Sequence, residues 1–144
     1  MSNSPRKLLH ASVAVLVVAS LAASEEIADY RHESMEAIGG HFQSVLKIVR
    51  GDVPFESHLS MHADALADYG EIMASLFEEG SEGGEALDKI WDEPEEFGEV
   101  VENFKDATAE FKEVVDNGGD EGEVSTAFRA VGAACKGCHD SYRE

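Results

Sequence analysis

Cys135-Lys136-Gly137-Cys138-His139 lies five residues short of the C-terminus. Two thiols three positions apart with a histidine directly behind them have the spacing that fastens a c-type haem. On a helix, Cys135 and Cys138 share almost one face, so both sulfurs can reach two vinyl groups along one porphyrin edge. His139 can then turn its imidazole under the ring and give iron a proximal nitrogen. Three other uses of the pair fit less well. A redox Cys-x-x-Cys is expected beside a strand-helix-strand pattern, which this sequence lacks. Structural zinc wants four ligands, and these are the only two cysteines. A disulfide between residues three apart on a helix is strained and closes almost no loop.

Working outward, Val124, Phe128, Val131, Cys135, Cys138 and Tyr142 lie along one flank of a helix, and Asp120 with Glu123 opens it at capping-box spacing. Three further segments carry the same three-four periodicity. One runs from about Glu26 to Val49 and stops at Gly51-Asp52-Val53-Pro54. Another runs from about Glu56 to Phe77, with Leu59, Ala63, Leu66, Met73 and Leu76 on its inner face. After a glycine-rich loop carrying Ile90-Trp91, the remaining one opens at Asp92-Glu93-Pro94-Glu95, where Asp92 and Glu95 have capping-box spacing, and ends at Gly118-Gly119. Its Phe97, Phe104 and Phe111 read as a core stripe that can also wall a haem. Nothing has a convincing period of two. Helices of about 20 residues, each roughly 30 Å long with one wide apolar stripe, predict an all-α, antiparallel four-helix bundle.

The start of the chain reads as targeting rather than fold. Arg6 and Lys7 precede an apolar run, Ala11 to Ala23, that is short for a membrane span, and small residues follow at Ala22-Ala23-Ser24. Residues 1–24 are therefore expected to be a secretory signal peptide cleaved near Ser24, with an uncleaved anchor as the alternative, and residues 25–144 to be the bundle. Export suits covalent haem, which bacteria attach outside the cytoplasm, and the expected location is the periplasm. Residues 1–24 hold two of the chain's 11 basic and none of its 30 acidic side chains, which leaves nine against 30 and a net charge of −21. That excludes nucleic acid and anionic membrane as natural partners. It reads as a solvating surface, or as one suited to a basic redox partner or to high salt.

At these residues the chain resembles the class II c-type cytochromes, meaning cytochrome c′ and its low-spin relatives. The resemblance is most specific from Val131-Gly132 through Arg143. It is also carried by Tyr30-Arg31, Met35 and Ile38-Gly39-Gly40, and more weakly by Gly51 with Pro54-Phe55, Phe77 with Gly80-Ser81, and Ile90-Trp91. It implies a haem-filled four-helix bundle with one covalent haem c. Cys135 and Cys138 would be thioether anchors and His139 the proximal ligand. Arg31 would approach a haem propionate, Arg143 would lie beside the proximal face, and Met35 would sit over the distal face of the iron. In cytochrome c′ proper this distal residue is an apolar plug and iron stays five-coordinate. In the low-spin relatives a methionine supplies its sulfur and raises the reduction potential. The Ile38-Gly39-Gly40 sequence leans toward the second arrangement.

The resulting expectation is a periplasmic electron carrier with His139, and Met35 as sixth ligand or distal plug. The alternative is a five-coordinate protein that binds nitric oxide or carbon monoxide. A weak peroxidase ranks last, because no distal acid-base group is evident, and no nucleophile-base-acid constellation points to an enzyme. Family members often dimerise through the first two helices, which implies a possible homodimer. His58 and His62, at i and i+4, could grip a metal but lack an evident third ligand, so they read as solvent-facing. His32 and His41 could compete for iron only if the first helix were rotated. Trp91 reads as a seal on one end of the bundle.

Overall fold

The computed structural model describes the backbone of residues 6–144 and the side chains of residues 24–144. The reading of residues 1–24 as a signal peptide rests on side chains outside that set. Among the described residues no helix is long and apolar enough to cross a membrane.

Four long helices carry the fold: α1 (Arg6–Val49), α2 (Leu59–Ile72), α4 (Pro94–Asp116) and α5 (Glu121–Tyr142), with a one-turn helix α3 (Lys89–Asp92) in the long connection. They form the expected antiparallel bundle. Phe111 meets Phe128 and Phe97 meets Tyr142 across α4–α5. Lys112 pairs with Asp64 and Lys105 with Glu71 across α2–α4, and His41 meets His62 while Arg31 reaches Leu76 O between α1 and the second segment. In each case residue numbers rise on one helix as they fall on the other.

Local signals explain most helix ends. At the end of α1, Gly51 has φ 71°, its N–H donates to Ile48 O, and the Asp52 N–H donates to Lys47 O. At the end of α4, Gly118 has φ 70° and the Gly119 N–H reaches Val114 O. Both are Schellman ends, and both need the left-handed conformation that glycine takes without strain. The start of α5 is a complete capping box. Asp120 Oδ1 accepts from the Glu123 N–H at 2.9 Å, and Glu123 Oε2 accepts from the Asp120 N–H at 2.8 Å.

Three local expectations need correction. Asp92 caps nothing, because its own N–H donates to Asp88 O and it forms the last turn of α3. Glu93 is the residue before α4, without a side-chain cap, and Pro94 opens the helix. Ile90-Trp91 is therefore helical rather than loop. The second segment has regular α-helix only over Leu59–Ile72, with tighter 3-10 turns at Glu56–His58 and Met73–Phe77.

The core runs the length of the bundle. Val45, Leu66, Phe111 and Val131 are fully buried, one from each long helix. Each such side chain contributes roughly 1.5–3 kcal/mol by leaving water. Phe97 and Phe104 are also buried, so the phenylalanine stripe is core. Gly70 lets α2 approach α4 closely, because a side chain there would begin 2.5 Å from Thr108 Oγ1 and 3.2 Å from Lys105 Cα. By contrast, α1 and α5 touch least of the four neighbouring pairs of long helices.

Candidate functional site

The stripe that buries Val124, Phe128 and Val131 continues down α5 through Cys135 and Cys138, both free thiols, half-buried and packed at the edge of the core. His139 is one position round and exposed. Burial pushes the Cys138 thiol up to about 11, with Cys135 adding to the effect, and burial likewise raises Cys135. Both sulfurs are held neutral against apolar neighbours, an environment equally suited to an uncharged thioether. The flank of α5 draws enough water from the His139 ring to lower its pKa. Nearby Arg143 lowers it further, while Asp140 and Glu85 oppose the shift. The neutral imidazole so favoured is the form that ligates a metal.

The register of α1 against α5 places Met35. The two helices touch where the Phe42 ring lies 4.5 Å from that of Phe128, and where Gly132 leaves room for Phe42 Cζ, 3.3 Å from where a side chain would start. Met35 is two turns before Phe42, about 10 Å along α1, and the same distance along antiparallel α5 leads to the Cys135–His139 turn. Met35 is half-buried at the core edge, as are both cysteines. The thinly packed α1–α5 seam thus has two inward thiols on one wall and a thioether level with them on the other. Cys135, Cys138, His139 and Met35 are the residues that would hold a haem here, the thiols as covalent anchors and the imidazole and thioether as the candidate metal donors.

Arg31 stands one turn before Met35 and is buried, with 4 % of its surface exposed. Its Nη1 donates to Leu76 O at 3.1 Å and Ser81 O at 2.7 Å, and its Nη2 donates to Gly83 O at 2.6 Å. The guanidinium also faces the rings of Phe77 and Trp91, at 5.1 and 5.7 Å. Burial lowers its pKa, and Glu82 partly restores it. The residue expected at a propionate therefore first ties α1 to the chain leaving α2. Trp91 completes the join, its indole N–H shared between Phe77 O and Glu78 O, so it does seal this end.

Arg143 belongs to a clasp on the end of α5. The chain turns extended there and pairs with residues 85–87. The Leu87 N–H donates to Tyr142 O and the Glu144 N–H to Glu85 O, both at 3.0 Å, while Arg143 Nε lies 2.7 Å from Glu85 Oε2. Sequence reasoning missed Glu85, since a lone glutamate in a glycine-rich loop carries no local signal. It also missed that His62 pairs with His41 on α1 rather than with His58 in the turn before α2. His32 is exposed beside Glu36 and lies away from the seam.

Comparisons with known proteins agree with this fold. The family model described as Cytochrome C' matches residues 26–143. Cytochrome c′ of Pararhodospirillum photometricum is 31 % identical over 125 residues, spanning 85 % of this chain and 100 % of that protein. Two solved structures of the Alcaligenes xylosoxidans cytochrome c′ superpose with a TM-score of 0.78. One is a carbon-monoxide-bound variant, 29 % identical and covering 84 % of this chain and 96 % of that one. The other is a ferrous variant with bound NO, 28 % identical and covering 84 % and 95 %. With its bundle, its C-terminal Cys-x-x-Cys-His turn and this match over nearly the whole described length, the chain belongs to the cytochrome c′ family of haem proteins.

Proposed function

We propose that this chain is an exported, periplasmic haem protein that binds a small diatomic gas, nitric oxide or carbon monoxide, on the Met35 side of its iron. One haem c would be held by thioethers from Cys135 and Cys138, with His139 as proximal ligand. Bound there, haem supplies an iron with a ferric-ferrous couple and an axial position able to take a diatomic molecule. The protein's part is holding and excluding. Cys135 and Cys138 would fix one edge of the haem, and the clasp at Glu85 and Arg143 holds the helix end that carries His139. Met35 and Phe42, partly buried and apolar, would face the haem from α1, a surface that admits a small uncharged ligand and disfavours a charged one. Three of the five N–H groups of Arg31 are taken by carbonyls, and a propionate beside it would be met by the other two. No side chain is assigned acid-base chemistry, so the role proposed is binding rather than catalysis.

The observation that carries this reading is that solved relatives of the same fold hold carbon monoxide and NO. It favours the gas binder over the electron carrier expected first from the sequence. The carrier reading keeps one specific support, the thioether of Met35 level with His139. In that case the acidic surface would dock a basic redox partner.

The absorption spectrum of the reduced holoprotein, with and without carbon monoxide, separates the two. A broad high-spin band that shifts on exposure is expected. A sharp, split α band that carbon monoxide leaves unmoved, and that Met35→Leu converts to the broad form, would overturn the gas-binding reading in favour of His/Met ligation.

A further inference from the structure

His41 on α1 and His62 on α2 face each other across the seam away from the haem helix. Their Nδ1 atoms are 2.9 Å apart, and their rings meet edge-on at 5.2 Å. Both residues are half-buried. At that separation one ring must donate to the other, so the pair as it stands shares a single proton between two imidazole nitrogens. His58, one turn before His62, stacks its ring on Phe55 at 5.1 Å and 3°. Among the described residues no three His, Cys, Asp or Glu side chains already converge on one point, so the pair is the donor set at hand.

We propose that His41 and His62 form a divalent transition-metal site that bridges α1 and α2, with copper(II) as the ion their spacing selects. Metal–imidazole bonds are about 2.0–2.1 Å long, so two nitrogens 2.9 Å apart subtend about 90° at a shared ion. That is the cis angle of a tetragonal copper(II) centre, smaller than the tetrahedral angle zinc prefers. The terminal torsion of histidine is soft, so a modest rotation of each ring turns both lone pairs toward one point off the N–N line. The Nδ1 proton moves to Nε2 of the same ring, a change of tautomer that leaves a neutral pair neutral. Water, or His58 swinging off Phe55, completes the coordination. The neutral state is favoured in advance, because burial first, then His41 and His58, hold His62 below the usual histidine range.

The test is titration of copper(II) into the ferric holoprotein with excess magnesium to mask surface carboxylates, followed by electron paramagnetic resonance. The expected result is about one equivalent of a tetragonal copper signal with nitrogen hyperfine structure and an unchanged haem spectrum. His41→Ala and His62→Ala should each weaken binding roughly tenfold or more, as loss of one of two principal ligands requires, and His58→Ala by less. Copper that stays oxygen-ligated, binds without defined stoichiometry, or binds equally well to both variants would overturn the proposal. The wild-type spectrum decides by itself if a variant folds poorly.

Discussion

At the scale of single residues, Arg31 and Gly70 make the sharpest claims. Arg31 satisfies three backbone carbonyls, two of its three bonds being buried, and stacks on two aromatic rings. Arg31→Met keeps much of the apolar contact but leaves those carbonyls without donors. At about 1 kcal/mol for each hydrogen bond, the holoprotein should lose on the order of 3 kcal/mol, read as a lower Tm. Arg31→Lys should recover only part, because an ammonium cannot fork between carbonyls as a guanidinium does. A melt unchanged in Arg31→Met would show that the three bonds contribute nothing net. Gly70→Ala tests the α2–α4 approach. The new methyl would meet Thr108 Oγ1, which donates to Phe104 O and Lys105 O, and beyond it the backbone of Lys105. The hydroxyl can rotate away only by giving up those bonds, and the backbone cannot. A loss of about 1–3 kcal/mol in denaturant unfolding is expected. Gly39→Ala is the matched control, since a side chain there meets nothing within 4 Å.

At the scale of elements, the α1–α2 seam should respond to acid through His62. Its pKa is lowered in the fold from the ordinary 6.5. Between those two values the unfolded chain binds more protons than the folded one, so stability falls as pH drops below 6.5. A comparison with His62→Gln isolates this ring from the rest of the chain. The Tm of the wild type relative to this variant should therefore fall between about pH 7.5 and pH 5.5. A constant difference would mean that the ring titrates as freely in the fold as out of it. The same seam shows what the sequence could and could not reveal. Gly51, Gly118 and the Asp120–Glu123 pair were legible because each signal is complete within a few residues. The cap expected at Asp92 failed because α3 claims that residue from the N-terminal side. The Arg31 bonds reach 45 to 52 residues along the chain to carbonyls, which have no side-chain signature. The His41–His62 pair depends on how two helices are rotated against each other, and a shift of one position on either would part it. The Cys-x-x-Cys-His turn was legible for the opposite reason, since its signal lies within five consecutive residues. Met35 needed a family resemblance to be noticed and the register through Phe42 to be placed.

At the scale of the whole molecule, charge and apolar surface are distributed differently. The chain carries a net charge of −19. Its exposed large hydrophobic residues are Ile27 and Tyr30 on α1, Phe55 in the following turn, and Met61 and Ile72 on α2, with none on α4 or α5 among the described residues. Exposed apolar residues confined to the first two helices and the turn between them suit a two-fold contact, where the same surface meets itself and α5 with its Cys-x-x-Cys-His turn stays clear. The net charge works against that contact, because two copies of this surface repel over a Debye length of about 10 Å at 0.1 M salt. Adding salt shortens the repulsion and slightly strengthens burial of the apolar face, so both effects favour the dimer. Sedimentation velocity should therefore show mainly monomer at low ionic strength and a growing dimer fraction as sodium chloride rises. Tyr30, 61 % exposed, can be changed without touching the core. Tyr30→Glu places a charge one helical turn from Ile27 and should hold the protein monomeric at every salt concentration, with the haem spectrum unaltered. A monomer from low to high salt in the wild type would rule out the contact, and a dimer that survives Tyr30→Glu would move it to another face of the bundle.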